Sequence, residues 1–293
     1  MTNFTRMYWI QAITPLHVGA GKGVGFIDLP IMREKVTNWP LVPGSAVKGV
    51  IRDHFTQNAS DEQKKLIEIA FGKLVSDDTS NAGSLVLTDA HVVCLPVRSL
   101  YGTFAYTTSH LVLERLKRDL EAAGYNNLPP APSPENTEVF HTTDKIVYDK
   151  RIFFEDLDFI AKSDDNTNKW ADTLAGILFS TDTKWKSIFK ERFAILSDDS
   201  FNFLAETGTE IAARIRIKPE KKIVDKGALW YEESLPAETI LAGIAWCDRV
   251  FGGNGINQEK IIETFCNNSG LNVQIGGKAT VGKGRVKCLF TKG

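Results

Sequence analysis

Apolar and polar positions alternate over several short runs of this sequence and recur at helical spacing over others. Residues 7 to 13 put Tyr8, Ile10 and Ala12 on alternate positions, the period of a strand. Ser45 stands where it can cap a helix whose apolar stripe is Val47, Val50, Ile51 and Phe55. Ser60 and Gln63 have capping-box spacing for a second helix, which Gly72 would close. Residues 84 to 93 are rich in β-branched and apolar side chains and read as a strand. Residues 112 to 123, apolar at 112, 113, 116 and 120, read as a helix ended by Gly124. Pro129, Pro130, Pro132 and Pro134 mark an extended surface loop, and residues 163 to 169 a second, polar loop. Residues 209 to 217 alternate Ile211, Ala213, Ile215 and Ile217 with polar or basic neighbours, as a half-exposed strand does. Residues 239 to 248 fit strand or helix, and the alternation of Ile240, Ala242, Ile244 and Trp246 favours strand. Asn257 can cap a helix with Ile261, Ile262, Phe265 and Cys266 on one face. Leu271, Val273 and Ile275, then Val286, Cys288 and Phe290, form two closing strands.

The order is strand, helix, strand, a long interval, then strand, helix, strand. That is the β-α-β-β-α-β order of the ferredoxin-like α+β fold, which RNA-recognition domains share. The interval from 94 to 208 is then an inserted helical and loop region within a single domain spanning 1–293.

Two glycine-rich stretches invite a nucleotide-binding reading. Gly19, Gly21, Gly23 and Gly25 alternate, but the positions that G-x-G-x-x-G would need next are Val24 and Phe26. No Gly-Lys pair is followed by Ser or Thr: Gly21-Lys22 leads to Gly23, Gly277-Lys278 to Ala279, and Gly282-Lys283 to Gly284. Neither phosphate-binding motif is present. The segment from Gly276 to Arg285 interleaves glycine with Lys278, Lys283 and Arg285. Glycine lets backbone N–H groups approach a phosphate, so contact with an RNA backbone is favoured over a plain hairpin turn.

Composition changes this picture little. Hydrophobic residues make up 43% and charged residues 24%, as in ordinary globular proteins. No apolar run approaches the ~20 residues of a membrane span, and no secretory leader is expected from the N-terminal residues. Cys94, Cys247, Cys266 and Cys288 lack paired spacing, which gives no support to a zinc site and fits a reducing cytoplasm. The net charge is −1, yet residues 264 to 293 carry no acid and five Lys or Arg. Residues 214 to 226 hold six basic side chains against Glu220 and Asp225. Two basic segments in a neutral chain point toward an anionic polymer.

Specific segments carry a family resemblance. Residues 14 to 55 read TPLHVGAGKGVGFIDLPIMREKVTNWPLVPGSAVKGVIRDHF, residues 97 to 99 read VRS, and residues 229 to 238 read LWYEESLPAE. Together with the glycine-rich end, these resemble the backbone subunits of type III-B CRISPR effectors (Cmr complexes) of the RAMP superfamily, from end to end. The resemblance implies a ferredoxin-like palm, helical insertions and a β-hairpin thumb at 214–238. It implies head-to-tail stacking of copies along crRNA, other Cmr subunits as partners, and cleavage of a paired single-stranded target RNA at regular intervals, with no membrane involved. RNA contacts are then expected at Arg33, Ser45, Lys48, Arg52, Arg98, Ser99, Lys218, Lys221, Lys222, Lys278, Gly282, Lys283, Gly284 and Arg285.

Within that resemblance Asp28 is the expected catalytic residue. It sits in the apolar run Phe26-Ile27-Asp28-Leu29-Pro30, just after the first glycine loop. RNA cleavage by an adjacent 2′-hydroxyl needs orientation, charge neutralisation and a proton acceptor. Asp28 could bind a hydrated divalent cation, Mg2+ being the natural choice for one carboxylate, or act as the base directly. His17 is a candidate helper, with Tyr231 and Glu232 as further candidates from the thumb segment. The rivals are a guide-RNA scaffold without catalysis, and a metal-independent guide-processing nuclease built on histidine and tyrosine.

Overall fold

A computed structural model of the chain describes residues 4–21, 23, 25–73, 82–218, 223–253 and 255–293, with the side chains of 218 and 223–227 left aside. The first third holds β1 (Thr5–Ala12), β2 (Leu41–Val42), α1 (Gly44–Thr56), α2 (Asp61–Phe71), β3 (Val86–Leu87) and β4 (Ala90–Ser99). The middle holds β5 (Thr103–Ser109), α3 (His110–Ala122), β6 (Glu138–His141), β7 (Arg151–Phe154), β8 (Leu157–Ser163), α4 (Asp165–Leu178), α5 (Thr183–Glu191), β9 (Phe193–Leu196) and α6 (Asp198–Thr207). The last part holds β10 (Glu210–Lys218), β11 (Ile223–Ser234), β12 (Ile240–Trp246), α7 (Gln258–Phe265), β13 (Leu271–Gln274) and β14 (Arg285–Thr291).

Four strands set the frame. They lie in the order β14-β1-β12-β4, each antiparallel to its neighbour. Helix α1 lies in the chain between β1 and β4, and α7 between β12 and β14. Both faces of this sheet are covered. Tyr8, Ile10 and Ala12 of β1 pack in one cluster with Ile51 of α1, Phe71 of α2 and Phe265 of α7. Met7 and Trp9 join a second cluster with Leu116 of α3 and Trp170 of α4. This two-sided burial makes β1 a nearly continuous apolar run rather than an alternating one.

The region 94–208, expected to be helical and loop, instead extends the sheet. Strands β4, β5, β9, β6, β8 and β7 follow in that order, and Ser99 of β4 pairs with Phe154 of β7, closing the six strands into a ring. The middle strands β5 and β6 pair with β9 while β8 pairs with β6, so long crossovers through α3 to α5 hide the strand periodicity.

Two further expectations are corrected. Residues 163 to 169 are not a loop: β8 runs to Ser163 and α4 starts at Asp165, capped by Asp164, whose Oδ1 accepts from Thr167 N at 2.8 Å. The polar residues there form the solvent face of a helix whose buried side begins at Thr167 and Trp170. Nor does Ser45 cap α1. The helix begins at Gly44 after Pro43, and Gly44 N donates to Asp89 Oδ1 at 2.8 Å across the fold. A Cβ on Gly44 would meet Thr88 O at 2.4 Å, so the close approach of α1 to the segment before β4 requires glycine. Asp89→Ala is expected to lower stability by about 1 kcal/mol, measured as a shift in urea midpoint without a change in slope.

The expected caps at Ser60 with Gln63, and at Asn257, are present. All four cysteines are buried thiols, and burial raises each: Cys247 to about 11, Cys288 to about 12, Cys94 and Cys266 further. Among the described residues no helix is long and apolar enough to cross a membrane.

Strands β10 and β11 stand apart as a two-stranded hairpin. Ala213 lies opposite Tyr231, Ile215 opposite Leu229, and Arg214 opposite Trp230. Strand alternation therefore gives the hairpin an exposed apolar face with Ile215, Leu229 and Tyr231, and a second face with Arg214 and Trp230. Lys221 and Lys222 lie outside the described residues.

Candidate active site

The base of β11 gathers the N-terminal loop and the C-terminal glycine loop. Leu29 pairs in parallel with Glu232: Leu29 N donates to Tyr231 O at 3.0 Å, and Glu233 N donates to Leu29 O at 3.0 Å. Leu16 and Leu235 exchange two backbone hydrogen bonds, at 2.8 and 2.9 Å. Asp28 is thereby fixed at the edge of the hairpin. Its Oδ2 accepts from Tyr231 N at 2.8 Å, while the side chain as a whole stays exposed. Phe26 stands edge-on to the Tyr231 ring at 6.5 Å. Asp28 thus combines a held backbone with an accessible carboxylate, which is the setting a proton acceptor or ion ligand needs.

Adjacent residues of a strand point to opposite faces, and the Glu232-Glu233 pair uses both. Glu232, 3% exposed, accepts from Trp230 Nε1 at 2.8 Å, Lys278 Nζ at 2.7 Å and Arg214 Nε at 3.3 Å. Burial alone would raise its pKa. The hydrogen bonds from Lys278 and Trp230, with the Lys278 charge and Arg214, outweigh burial and bring it from 4.5 down to about 2. A group depressed in the folded state adds stability above its unfolded pKa and loses it as pH falls through the folded value. The Glu232 contribution is therefore full above about pH 5 and gone near pH 2. The Glu232→Gln variant should show a flatter loss of stability between those limits, read from urea midpoints across pH.

Glu233, 2% exposed, faces the other way. Its Oε2 accepts from Ile31 N at 3.0 Å, and its Oε1 from Arg33 Nη2 at 2.6 Å and Thr209 Oγ1 at 2.9 Å. Its carbonyl accepts from His17 Nδ1 at 2.6 Å. A carbonyl only accepts, so His17 carries its proton on Nδ1. His17 is buried between the two loops, with its own carbonyl accepting from Gly277 N at 2.9 Å.

The residues expected at RNA divide by environment. Arg33 bridges Glu233, Asn38 O and Ala205 O. Lys48 donates to Leu85 O at 2.7 Å, and its pKa is lowered by burial and by Arg52. Lys278 binds Glu232, and buried Lys283 donates to Ser234 Oγ at 2.6 Å. Ser99 is buried, its Oγ without a hydrogen-bond partner. Arg98 is exposed and meets Glu155 at 3.2 Å, an ion pair weak enough to open toward another anion. Ser45 and Arg285 are exposed, and Arg52 is half-buried. Lys218 has its backbone in β10.

Several N–H groups of the glycine loop are already used within the protein. Gly277 N donates to His17 O, Gly282 N to Ala279 O and Gly284 N to Pro15 O. These three donors bind protein carbonyls, so at these positions the loop is a packing element, held at Gly277 and Gly284 against the segment after β1.

Glu233 and Trp230 are site residues that residue-by-residue reading passed over. Their signal lay in the sequence: two consecutive carboxylates in an aromatic strand put one acid on each face, and each needs a partner if both faces are covered.

Among the described residues, no three His, Cys, Asp or Glu side chains gather to hold one ion. A divalent cation at Asp28 would take from this chain a single carboxylate, with Oδ2 already on the Tyr231 amide. That donor set fits a largely hydrated Mg2+ completed by phosphate oxygens, not a protein cage.

The fold and its loops are those of a known class. A family model of the RAMP superfamily matches residues 9–287, and the chain belongs to that superfamily. It is 36% identical over 286 residues to the CRISPR system Cmr endoribonuclease Cmr4 of Pyrococcus furiosus, covering 95% of this chain and 92% of that protein. It is 24% identical over 310 residues to the CRISPR system CMR subunit Cmr4 of Saccharolobus solfataricus, covering 97% and 96%. The crystal structure of oligomeric Cmr4 from Pyrococcus furiosus matches with a TM-score of 0.77 at 28% identity over 99% of both chains. A chain in the type III-B Cmr-beta complex bound to cognate target RNA matches in fold, with a TM-score of 0.75 at 22% identity, covering 98% of this chain and 97% of that one.

Proposed function

We propose that this chain is a backbone subunit of a type III-B CRISPR ribonucleoprotein that holds crRNA and cleaves complementary target RNA through Asp28. The observation that carries the reading is the exposed Asp28 carboxylate, fixed by Tyr231 N on a loop stitched to the base of a projecting hairpin. In this reading β14-β1-β12-β4 with α1 and α7 is a ferredoxin-like palm, and β10-β11 is the thumb. Copies stack head to tail, so one Asp28 per copy meets the target at each repeat. Arg98, Ser45 and Arg285 are the surface groups best placed by exposure to meet RNA, with the half-buried Arg52 beside them. Arg33, Lys48, Lys278 and Lys283 act by shaping the loops. The remaining partners are the other Cmr subunits, in the cytoplasm.

For the chemistry, the target 2′-oxygen attacks the adjacent phosphorus. The P–O2′ bond forms, the P–O5′ bond breaks, and a 2′,3′-cyclic phosphate and a 5′-hydroxyl result. Asp28 takes the 2′-proton directly or through water, and the leaving oxygen is protonated from solvent. A Mg2+ at Asp28, when bound, supplies charge neutralisation on the phosphate. His17 holds the two loops in register through Glu233 O rather than meeting the phosphate, and Tyr231 presents its amide to Asp28. Glu232 ties the thumb to the glycine loop. A pure scaffold has no use for a carboxylate fixed at position 28.

The test is the assembled complex with wild-type or Asp28→Ala protein, scored for target binding and for cuts at regular spacing, with and without Mg2+. Full cutting by the variant overturns the reading. Wild-type cutting at full rate in excess EDTA overturns the metal.

A further inference from the structure

Among the described residues the Asp28 side chain makes one hydrogen bond, and its position is set by what holds residues 29 to 33. Three attachments to β11 are present: the Leu29 pairing, Ile31 N on Glu233 Oε2, and Arg33 Nη2 on Glu233 Oε1. Two of the three end on one buried carboxylate. The same carboxylate takes Thr209 Oγ1 at the start of β10. Glu233 therefore binds the Asp28 loop, the Arg33 turn and the entry to the hairpin at a single point.

We infer that Glu233 is a positioning residue for Asp28. The inference rests on the reading of Asp28 as the group that cuts RNA, and deepens it. The carboxylate is 2% exposed. Its two oxygens fix Ile31 and Arg33 at once. An amide at this position has one accepting oxygen. Ile31 N and Arg33 Nη2 approach different oxygens of the carboxylate, so with an amide in the same place the NH2 group would face one of those donors. The loop then loses one of its attachments. A displacement of about 1 Å at a reacting group costs on the order of 10²-fold in rate. RNA affinity does not depend on this clamp, because Glu233 lies inside the protein and faces no surface.

The test uses the assembled complex carrying Glu233→Gln, Asp28→Ala or both. Single-turnover cutting at saturating target, target Kd and backbone amide exchange over residues 26 to 33 are measured for each. The expected result for Glu233→Gln is cutting slowed about 10- to 100-fold, Kd within about twofold of wild type, and faster exchange at 26 to 33. The double variant should cut no more slowly than Asp28→Ala alone, since a residue acting only through Asp28 has nothing to add once Asp28 is gone. A merely structural role would instead weaken binding and slow the double variant further. If Glu233→Gln fails to assemble, Arg33→Gln removes the Arg33 attachment to the same carboxylate. It is scored by the same three measurements, with slower cutting at unchanged Kd expected and full-rate cutting overturning the positioning role. Full-rate cutting by Glu233→Gln beside an inactive Asp28→Ala overturns the positioning role alone. Full-rate cutting by Asp28→Ala overturns the reading of Asp28, and this inference with it.

Discussion

Replacing Asp28 by Ala or by Asn is expected to slow target cleavage by about 10²- to 10⁴-fold, the range that a positioned general base supplies. The two variants separate geometry from charge. Asp28→Asn keeps an acceptor for Tyr231 N, so the 2.8 Å bond that seats the loop can persist. Its amide cannot accept the 2′-proton or neutralise a cation. Equal losses from both variants place the effect in the carboxylate, whereas an active Asp28→Asn variant reduces Asp28 to a loop anchor. Target affinity is expected to be unchanged or slightly tighter in both. Asp28 is an exposed negative charge, and its removal lowers repulsion toward a polyanion. Gel-shift titration at two salt concentrations checks this.

The second large effect lies away from the chemistry. Gly284→Ala is expected to destabilise the chain by about 3–4 kcal/mol. Gly284 has φ of +80°, where an L side chain alone costs about 1–2 kcal/mol. A Cβ there would also stand 2.2 Å from Ile275 O, a backbone atom that cannot swing aside. Relief requires moving the turn and losing the bonds Ile275 N to Gly284 O and Gly284 N to Pro15 O, each worth about 1 kcal/mol. Gly282 is the internal comparison. It has φ of +81° but open space around its Cβ, so Gly282→Ala should cost only the conformational part, about 1–2 kcal/mol. Urea unfolding of the two variants, side by side, measures the difference. Equal costs would mean that the contact with Ile275 does not constrain the turn.

The glycines at 276 and 284 serve the packing of the protein on itself. In the sequence, glycine interleaved with lysine and arginine suggested a backbone bared for phosphate. In the fold, Gly276 and Gly284 are places where one protein backbone lies against another: a Cβ at Gly276 would sit 2.2 Å from His17 O. Close approach was legible in the sequence, but its partner was not, since a glycine pattern records the space required and not what fills it. The basic residues show the same limit. Lys278 and Lys283 read as counter-charge for RNA, yet each reaches a β11 side chain tens of residues away in the chain.

The sequence by itself determined the local elements whose signals are local. The strand at Tyr8, the capping box at Ser60, the Asn257 cap and the alternation of Ile240 to Trp246 depend on residues a few positions apart, and all four are present. It also marked Asp28 as an unusual carboxylate in an apolar run. Only the tertiary structure decided the rest. The cap of α1 comes from Asp89, 45 residues after Gly44. The 94–208 region closes into a ring of strands because β4 finds β7 across long crossovers. Glu233 becomes the clamp on the Asp28 loop only when β11 is packed on both faces. Such contacts join groups far apart in sequence, where no period or spacing records them, and they exist only once the chain has buried its core.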